Sequence, residues 1–424
     1  MSTSSVASTG PAAVQRAGPP SLTVLSGFWP AATYAVARTL LTADPALLLV
    51  RHDLGDVRAG VVHRVVRDRS GMLEDERITL AHGCVSCTLR DDVLPTLARL
   101  AGTHPHRDLV LMLPEVVEPE AVAAACAHCL VDGTPLTDLL HVDSYVTVVD
   151  AEHLLDGLAS TDDLKTLDIH AAADDDRALA DVVVRQIEYA DTHVLWGHSP
   201  DGGYDTYRLA TLLARIAPWA IQIRVDDDLV DAHALARRLR RTDRHRPETP
   251  GVLVRGLEGH LLGVHEPHPD QGIVSVVFRA RRPFHAERLH AVLEEVNADV
   301  IRSRGHLWLA SQPETVIAWD FAGGGLGLGS FGRWLTCLPD AHWDEVSDHR
   351  RLAAALDWDP YYGDRNQHLV FVGLDLDPSV LRHTLTECLL TDAELADGED
   401  VWRGYPDPFA GCFPITDPYR GEPA

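Results

Sequence analysis

The sequence predicts a doubly wound α/β domain with a mostly parallel sheet, followed by a smaller α+β domain. Three observations predict it. Short apolar strand candidates alternate with amphipathic helical stretches through the first half, the pattern of strands buried between helix layers. A basic, polar, proline-ended segment at 234–250 (ALARRLRRTDRHRPETP) then interrupts the pattern, as a domain boundary does. Beyond it, alternating strands and a hairpin signal replace the strand–helix alternation.

Taken in order, the first half reads as strand Leu22–Ser26, helix Thr33–Thr42, strand Ala46–Val50, helix Asp92–Ala101 and strand Asp108–Leu113. Helix Pro119–Leu130, strand Ser144–Val149, helix Arg177–Tyr189 and strands Thr192–Trp196 and Trp219–Arg224 complete it. The second half reads as strand Gly272–Ala280, helix Ala286–Asn297, a hairpin of His306–Ala310 with Thr315–Asp320, strand Gln367–Leu374 and helix Pro378–Leu390. The expected organisation is a tail over 1–20, a first domain over 21–250, a linker over 251–271 and a second domain over 272–424. There is no tandem repeat. The glycine run Gly323–Gly329 has neither a strand-to-helix context nor a lysine, so it reads as a tight hairpin rather than a phosphate loop.

Composition narrows the function. At 424 residues, a prior of roughly 150 residues per domain suggests two or three. Apolar residues at 46% supply ample core. The net charge of −26 repels phosphate backbones, which argues against a general nucleic-acid or anionic-membrane binder, although a local basic patch escapes that argument. No stretch approaches the roughly 20 apolar residues of a membrane helix. Met1–Pro20 lacks a basic start and an apolar run, so it reads as a disordered tail rather than a signal peptide. Seven cysteines, an odd and low number, argue against a disulfide framework and for a reducing cytoplasm, where clustered cysteines serve metal or redox chemistry.

Ser26–Ala35 (SGFWPAATYA) joins the first strand to the first helix, where backbone N–H groups normally cradle phosphates. That chemistry needs glycines, a lysine for the terminal phosphates and a hydroxyl for magnesium. The positions that would serve a nucleotide are Gly27, Thr33 and Tyr34, and only Gly27 is of the required type. Pro30 deletes an N–H donor, Thr33 stands in place of the lysine, and Tyr34 replaces the metal-binding hydroxyl. GTP with magnesium is therefore not expected at this loop.

At this loop the chain resembles the CobW-type GTPases and metallochaperones, whose first loop reads SGFLGAGKTT; Ser26, Gly27, Phe28 and Ala31 match. The family's GCxCC metal loop is similar to Gly83-Cys84-Val85-Ser86-Cys87, followed by Thr88-Leu89-Arg90 and Asp92, with Ser86 in place of the middle cysteine. The third family signature, ETTGLAxP, falls on Met112–Pro119 and keeps only Pro119. Gln186–Asp191 (QIEYAD) resembles the family's QIEFAD, but the guanine-reading NKxD beyond the next strand is replaced by Trp196-Gly197-His198-Ser199. In the second half, Phe278–Leu289, Arg302–Leu309 (RSRGHLWL), Trp334, Gly363–Gln367 (GDRNQ), Leu369–Gly373, Cys388–Asp392 and Asp407–Phe409 all resemble the CobW C-terminal domain. The resemblance spans about residues 21–410 and is most specific in its second half. It implies a P-loop GTPase-like first domain that is degenerate in phosphate, magnesium, switch and base recognition together.

Cys84 and Cys87 place two thiols in a turn, with His82 just before them. A second pair, Cys126 and Cys129, lies toward the end of a predicted helix. Two CxxC pairs can build a tetrahedral zinc site. The gap over 88–125 exceeds zinc-ribbon spacing, so only tertiary folding can join them; in related folds the two loops flank one face. The alternative is that Cys126 and Cys129 are core residues one helical turn apart. His260, His265, Glu266 and His268 read either as a weak metal loop or as a solvated polar loop. Asp53, in the His52-Asp53 pair, keeps a carboxylate where the resembled family has glutamate, and serves either a metal or a strand end. Arg237–Arg246 reads as a solvated face or docking surface. No GxSxG or HExxH motif occurs, and Glu115 with Glu118 lacks an accompanying nucleophile.

The expected function is a cytoplasmic pseudo-GTPase adaptor in zinc or other transition-metal homeostasis. The resemblance implies a branch tied to zinc starvation, with a client or ribosome-associated protein as partner; the charge and the lack of a long apolar stretch argue against nucleic acid and membrane as direct partners. Two alternatives stay open: a nucleotide hydrolase using an unusual loop, and a protein-binding scaffold.

Overall fold

The computed structural model describes residues 18–199 and 202–413. The tail expected over 1–20 lies almost wholly outside them.

The first domain is built on an eight-stranded sheet ordered β10-β9-β8-β1-β5-β2-β3-β4. Its members are β1 (Ser21–Ser26), β2 (Leu48–Asp53), β3 (Val61–Asp68), β4 (Gly71–Thr79), β5 (Leu109–Met112), β8 (His141–Asp150), β9 (Thr192–Trp196) and β10 (Ile221–Val225). Two-residue strands β6 (Leu130–Val131) and β7 (Thr134–Pro135) form a separate ribbon. The strands from β10 to β2 run parallel, and β3 and β4 add antiparallel at the edge. Every residue of β1 is buried, as a strand covered on both faces requires. The order reverses around β1, so a crevice opens at the carboxyl ends of the central strands, where open α/β sheets bind ligands.

Helices α1 (Pro30–Ala43), α2 (Val85–Thr88), α3 (Leu94–Thr103), α4 (Pro119–His128), α5 (Leu154–Ala159), α6 (Leu179–Tyr189), α7 (Gly203–Ile216) and α8 (Ala232–Leu239) complete this domain. A π-helical turn, Leu89–Val93, joins α2 to α3. The sequence reading misses the β3–β4 hairpin. Inward positions of β3 alternate between Val62 and Val66 and the charged Arg64 and Asp68, which breaks the apolar period. Those charges are buried because each has a partner: Asp92 for Arg64 and Arg107 for Asp68. Helix α7 is also missed, although Leu209, Leu212, Leu213 and Ile216 form a buried stripe at helical spacing.

The second sheet is ordered β11-β12-β16-β13-β14-β15. It comprises β11 (Glu266–Asp270), β12 (Ile273–Ala280), β13 (Val300–Leu307), β14 (Thr315–Ala322), β15 (Gly325–Arg333) and β16 (Gln367–Leu374). The stretch 251–271, expected as a linker, thus supplies an edge strand. Helix Ala286–Asn297 is interrupted at Val292 (φ −112°, ψ 5°), giving α9 (Ala286–Ala291) and α10 (Leu293–Asn297). Helices α11 (Asp348–Leu356) and α12 (Pro378–Glu387) follow. The glycine run does make a tight hairpin: Ala322 pairs with Gly325 across Gly323 and Gly324, whose φ values of 54° and 79° suit the two-residue turn.

The two domains share a core. Val183, Ile187, Leu209 and Leu213 of the first pack in one cluster with Ile273, Ala322 and Val372 of the second. The basic segment after α8 is not solvated throughout. Arg240 and Arg241 turn inward onto the buried Asp108, at 2.9 and 2.7 Å, because that carboxylate at the start of β5 needs compensation.

Candidate functional site

The crevice at the carboxyl end of the sheet begins with the β1–α1 loop. Gly27 is forced: a Cβ there would lie 2.4 Å from Thr33 Oγ1 and 2.6 Å from the Val148 carbonyl oxygen. Thr33 is fully buried and donates its hydroxyl to the Trp29 carbonyl at 3.1 Å. Tyr34 accepts a hydrogen bond from Arg67 at 2.5 Å. The Trp29 ring stacks on His153 and meets Phe28 edge-on, and a Cβ on Gly157 of α5 would strike it at 2.9 Å. These side chains hold the loop by aromatic packing rather than by donors aimed outward.

Beside the loop is a cleft of about 310 Å³, lined by Pro30, Arg51, Asp53, Arg58, Glu115 and Asp168 among others. Its cations are committed to neighbouring groups. Arg58 donates to Asp168 at 2.8 Å and to His170 at 3.0 Å, and Arg51 reaches Asp53 at 3.5 Å.

The cysteine turn closes the same edge. Cys84 caps α2, its sulfur accepting the Cys87 N–H at 3.3 Å, which sets both thiols on one turn. The hydrogen bond with Cys84 and burial together push the Cys87 thiol above its ordinary value. The π turn that follows directs Asp92 inward. Asp92 lies 2.7 Å from His52 Nε2 and pairs with Arg64, whose guanidinium also reaches Thr96 at 3.0 Å and Glu76 at 2.6 Å. His52, of the His52-Asp53 pair, therefore anchors the cysteine turn. Asp53 accepts the Gly55 N–H at 2.9 Å.

Cys126 is buried in the core on α4, and burial raises its thiol to about 12. Cys129 caps the same helix and packs against the same core as Val85. The structure brings Cys84 to Cys87 and sets Cys129 near Arg90, but it does not gather all four sulfurs into one cluster. Among the described residues, the group of three or more His, Cys, Asp and Glu ligand atoms within 4.8 Å of one another is His198 with Asp226 and Asp227. It sits beyond β9 and β10, all three residues exposed, with the ring nitrogens 3.3 Å from Asp226 and 3.2 Å from Asp227. The acidic run after β10 was the available signal. His265 contacts Arg382 at 2.9 Å, while His260 packs against His349, so the interdomain histidines are dispersed.

Two motifs noted separately in the sequence meet here. Glu188 of QIEYAD is fully buried, and both its oxygens accept from Arg302 at 2.7 and 2.9 Å. Arg304 pairs with the same carboxylate and lies over Trp219, 5.2 Å from the ring centroid. Gln186 donates to the carbonyls of Glu115 and Val117 at 2.8 and 3.1 Å. QIEYAD is thus the first domain's half of an interdomain clamp whose other half is RSRGH.

Fold and site together define a two-domain protein with a nucleotide-binding type of sheet, a thiol turn at its carboxyl edge and a clamped antiparallel second domain. The chain belongs to the CobW family. Residues 273–389 match the cobalamin synthesis protein cobW C-terminal domain, and residues 49–196 match the CobW/HypB/UreG nucleotide-binding domain. The latter match begins after the β1–α1 loop. A zinc chaperone of Mycobacterium tuberculosis is 34% identical over 342 residues, 79% of each chain. The zinc-regulated GTPase metalloprotein activator 1 of Dictyostelium discoideum is 29% identical over 403 residues, 91% of this chain and 83% of the relative. The crystal structure of the Zn(II)-bound YjiA GTPase from E. coli covers 88% of this chain and 100% of its own, with 16% identity and a TM-score of 0.36. No helix among the described residues is long and apolar enough to cross a membrane.

Proposed function

We propose that the protein captures zinc at Cys84 and Cys87 and presents it to a client, with a first domain that serves as scaffold rather than as a nucleotide hydrolase. The carrying observation is the Cys84–Cys87 turn, held at the sheet edge by the buried Asp92–His52–Arg64 contacts. Two soft sulfur donors on one turn fit zinc, and a set that leaves coordination positions open suits a transferable cargo better than a closed structural site. Thiols must lose protons to bind, so uptake releases protons. Cys126, with its thiol held protonated by burial, is the weakest of the four candidates, and Cys129 is the better second-pair donor. The names of the relatives, a zinc chaperone and a zinc-regulated metalloprotein activator, support the cargo.

Loss of GTP chemistry rests on the loop: Thr33 is buried where a lysine is needed, and the neighbouring arginines are committed to Asp168 and Asp53. The GTPase in one relative's name favours the contrary reading, and titration decides between them. Calorimetry of GTP and ATP with magnesium is expected to show no binding tighter than micromolar; tighter binding would reject the scaffold role. Metal analysis of protein expressed with zinc is expected to find zinc on wild type and a large loss in the Cys84→Ser/Cys87→Ser variant. Metal-free wild type, together with unaltered client binding by Cys84→Ser, would sink the zinc reading.

A further inference from the structure

A second cavity, of about 510 Å³, lies wholly apart from the thiol turn. The 256–260 segment, α11 and the adjoining ends of β12 and β16 enclose it. Its charge is unlike that of the protein as a whole, which carries −26. Arg279 reaches in from β12 and lies 3.3 Å from the His368 ring, which burial keeps neutral. Arg350 enters from α11; one terminal nitrogen donates to the Arg333 carbonyl at 2.6 Å, and its Nε is buried with no partner. Neither guanidinium forms an ion pair with a carboxylate among the described residues; burial still holds Arg350 below its ordinary value, although Asp364 and Glu258 act on it as partial counter-charges.

The carboxylates of this cavity are already occupied. Asp357 is taken by Arg281 at 2.5 Å, and Asp364 accepts the N–H groups of Leu335 and Thr336 at 2.9 and 3.0 Å. The floor is uncharged: His306 is buried against Asn366 at 2.9 Å, and burial holds it down to about 4. Arg350, half-buried with only partial counter-charge, and the exposed Arg279 leave guanidinium donors at one roomy polar cavity that an anion would take up. Guanidinium groups match the paired oxygens of phosphate and carboxylate.

We propose that this cavity binds a small multivalent oxyanion, a phosphate or polycarboxylate compound clamped between Arg279 and Arg350. The ligand is independent of the β1–α1 loop, so it would link a soluble metabolite to the second domain even with no nucleotide chemistry in the first.

The test is calorimetric titration of the full chain at constant ionic strength with two probes, pyrophosphate and propane-1,2,3-tricarboxylate. Saturable binding of one molecule per chain is expected for at least one probe, and which probe binds names the anion class. Arg279→Ala, at an exposed position that leaves the core intact, should weaken it by about tenfold or more, the usual loss for a charge-assisted contact. Arg350→Gln should do the same, while Arg224→Ala, a surface arginine over Tyr207, should bind as wild type. Absence of saturable binding by both probes overturns the proposal. So does binding that Arg279→Ala leaves unchanged, since the anion would then sit elsewhere.

Discussion

Gly27 shows how a single atom decides the character of the loop. A methyl group there would overlap Thr33 Oγ1 and the Val148 carbonyl, and backbone oxygen cannot move aside cheaply. Gly27→Ala is expected to destabilise the first domain by about 2 kcal/mol, within the range for overpacking, read as a lowered denaturation midpoint at unchanged slope. Thr33 makes the complementary point. Its hydroxyl is fully buried and spent on Trp29, so Thr33→Lys, the substitution that sequence comparison invites, is expected to lower stability without creating GTP affinity. Calorimetry with GTP and magnesium checks it. The loss of the lysine was legible from residue types alone. The aromatic packing that took its place was not, because Trp29 meets His153 and Gly157 only through tertiary folding.

At the scale of elements, the sequence yields most of the parallel strands because each is a short apolar run with nothing to obscure it. It hides β3 because Arg64 and Asp68 occupy its inward face, and only distant partners make that tolerable. The cysteine turn was legible from spacing, but its anchor was not: His52, Arg64 and Asp92 come from three separate elements. The clamp is the clearest case. QIEYAD and RSRGH were each recognisable, yet their contact spans two domains. Glu188→Ala would leave Arg302 and Arg304 buried beside an empty volume, with Asp320 as the remaining carboxylate. Removing one partner of such a network costs about 3–5 kcal/mol. The expected outcome is a large drop in stability, with Glu188→Gln intermediate, read by denaturant unfolding.

For the whole molecule, pH acts through buried imidazoles. Burial depresses His193, His245 and His306 to about 4 and His368 to about 3, against an unfolded value near 6.5. Below that unfolded value the unfolded chain takes up protons that the folded chain refuses. Stability from these four groups is therefore complete above pH 6.5 and falls as pH drops toward 4. Asp191, raised by burial to about 6, works the other way: its contribution is greatest below the ordinary carboxylate value and is lost as pH rises through 6. Burial also raises Glu120 and Asp181 and lowers His260, His265 and His285; the lowered imidazoles outnumber the raised carboxylates, so the denaturation midpoint is expected to fall between pH 7 and pH 5.

The shared core and the Glu188 clamp have a consequence for how the chain comes apart. Residues from both halves complete a single buried cluster, so neither half can melt without exposing apolar surface and stranded charge on the other. Heating should produce one calorimetric transition whose van't Hoff and calorimetric enthalpies agree, and limited proteolysis should not release a stable first domain. Two sequence matches, 49–196 and 273–389, are thus expected to unfold as one cooperative unit.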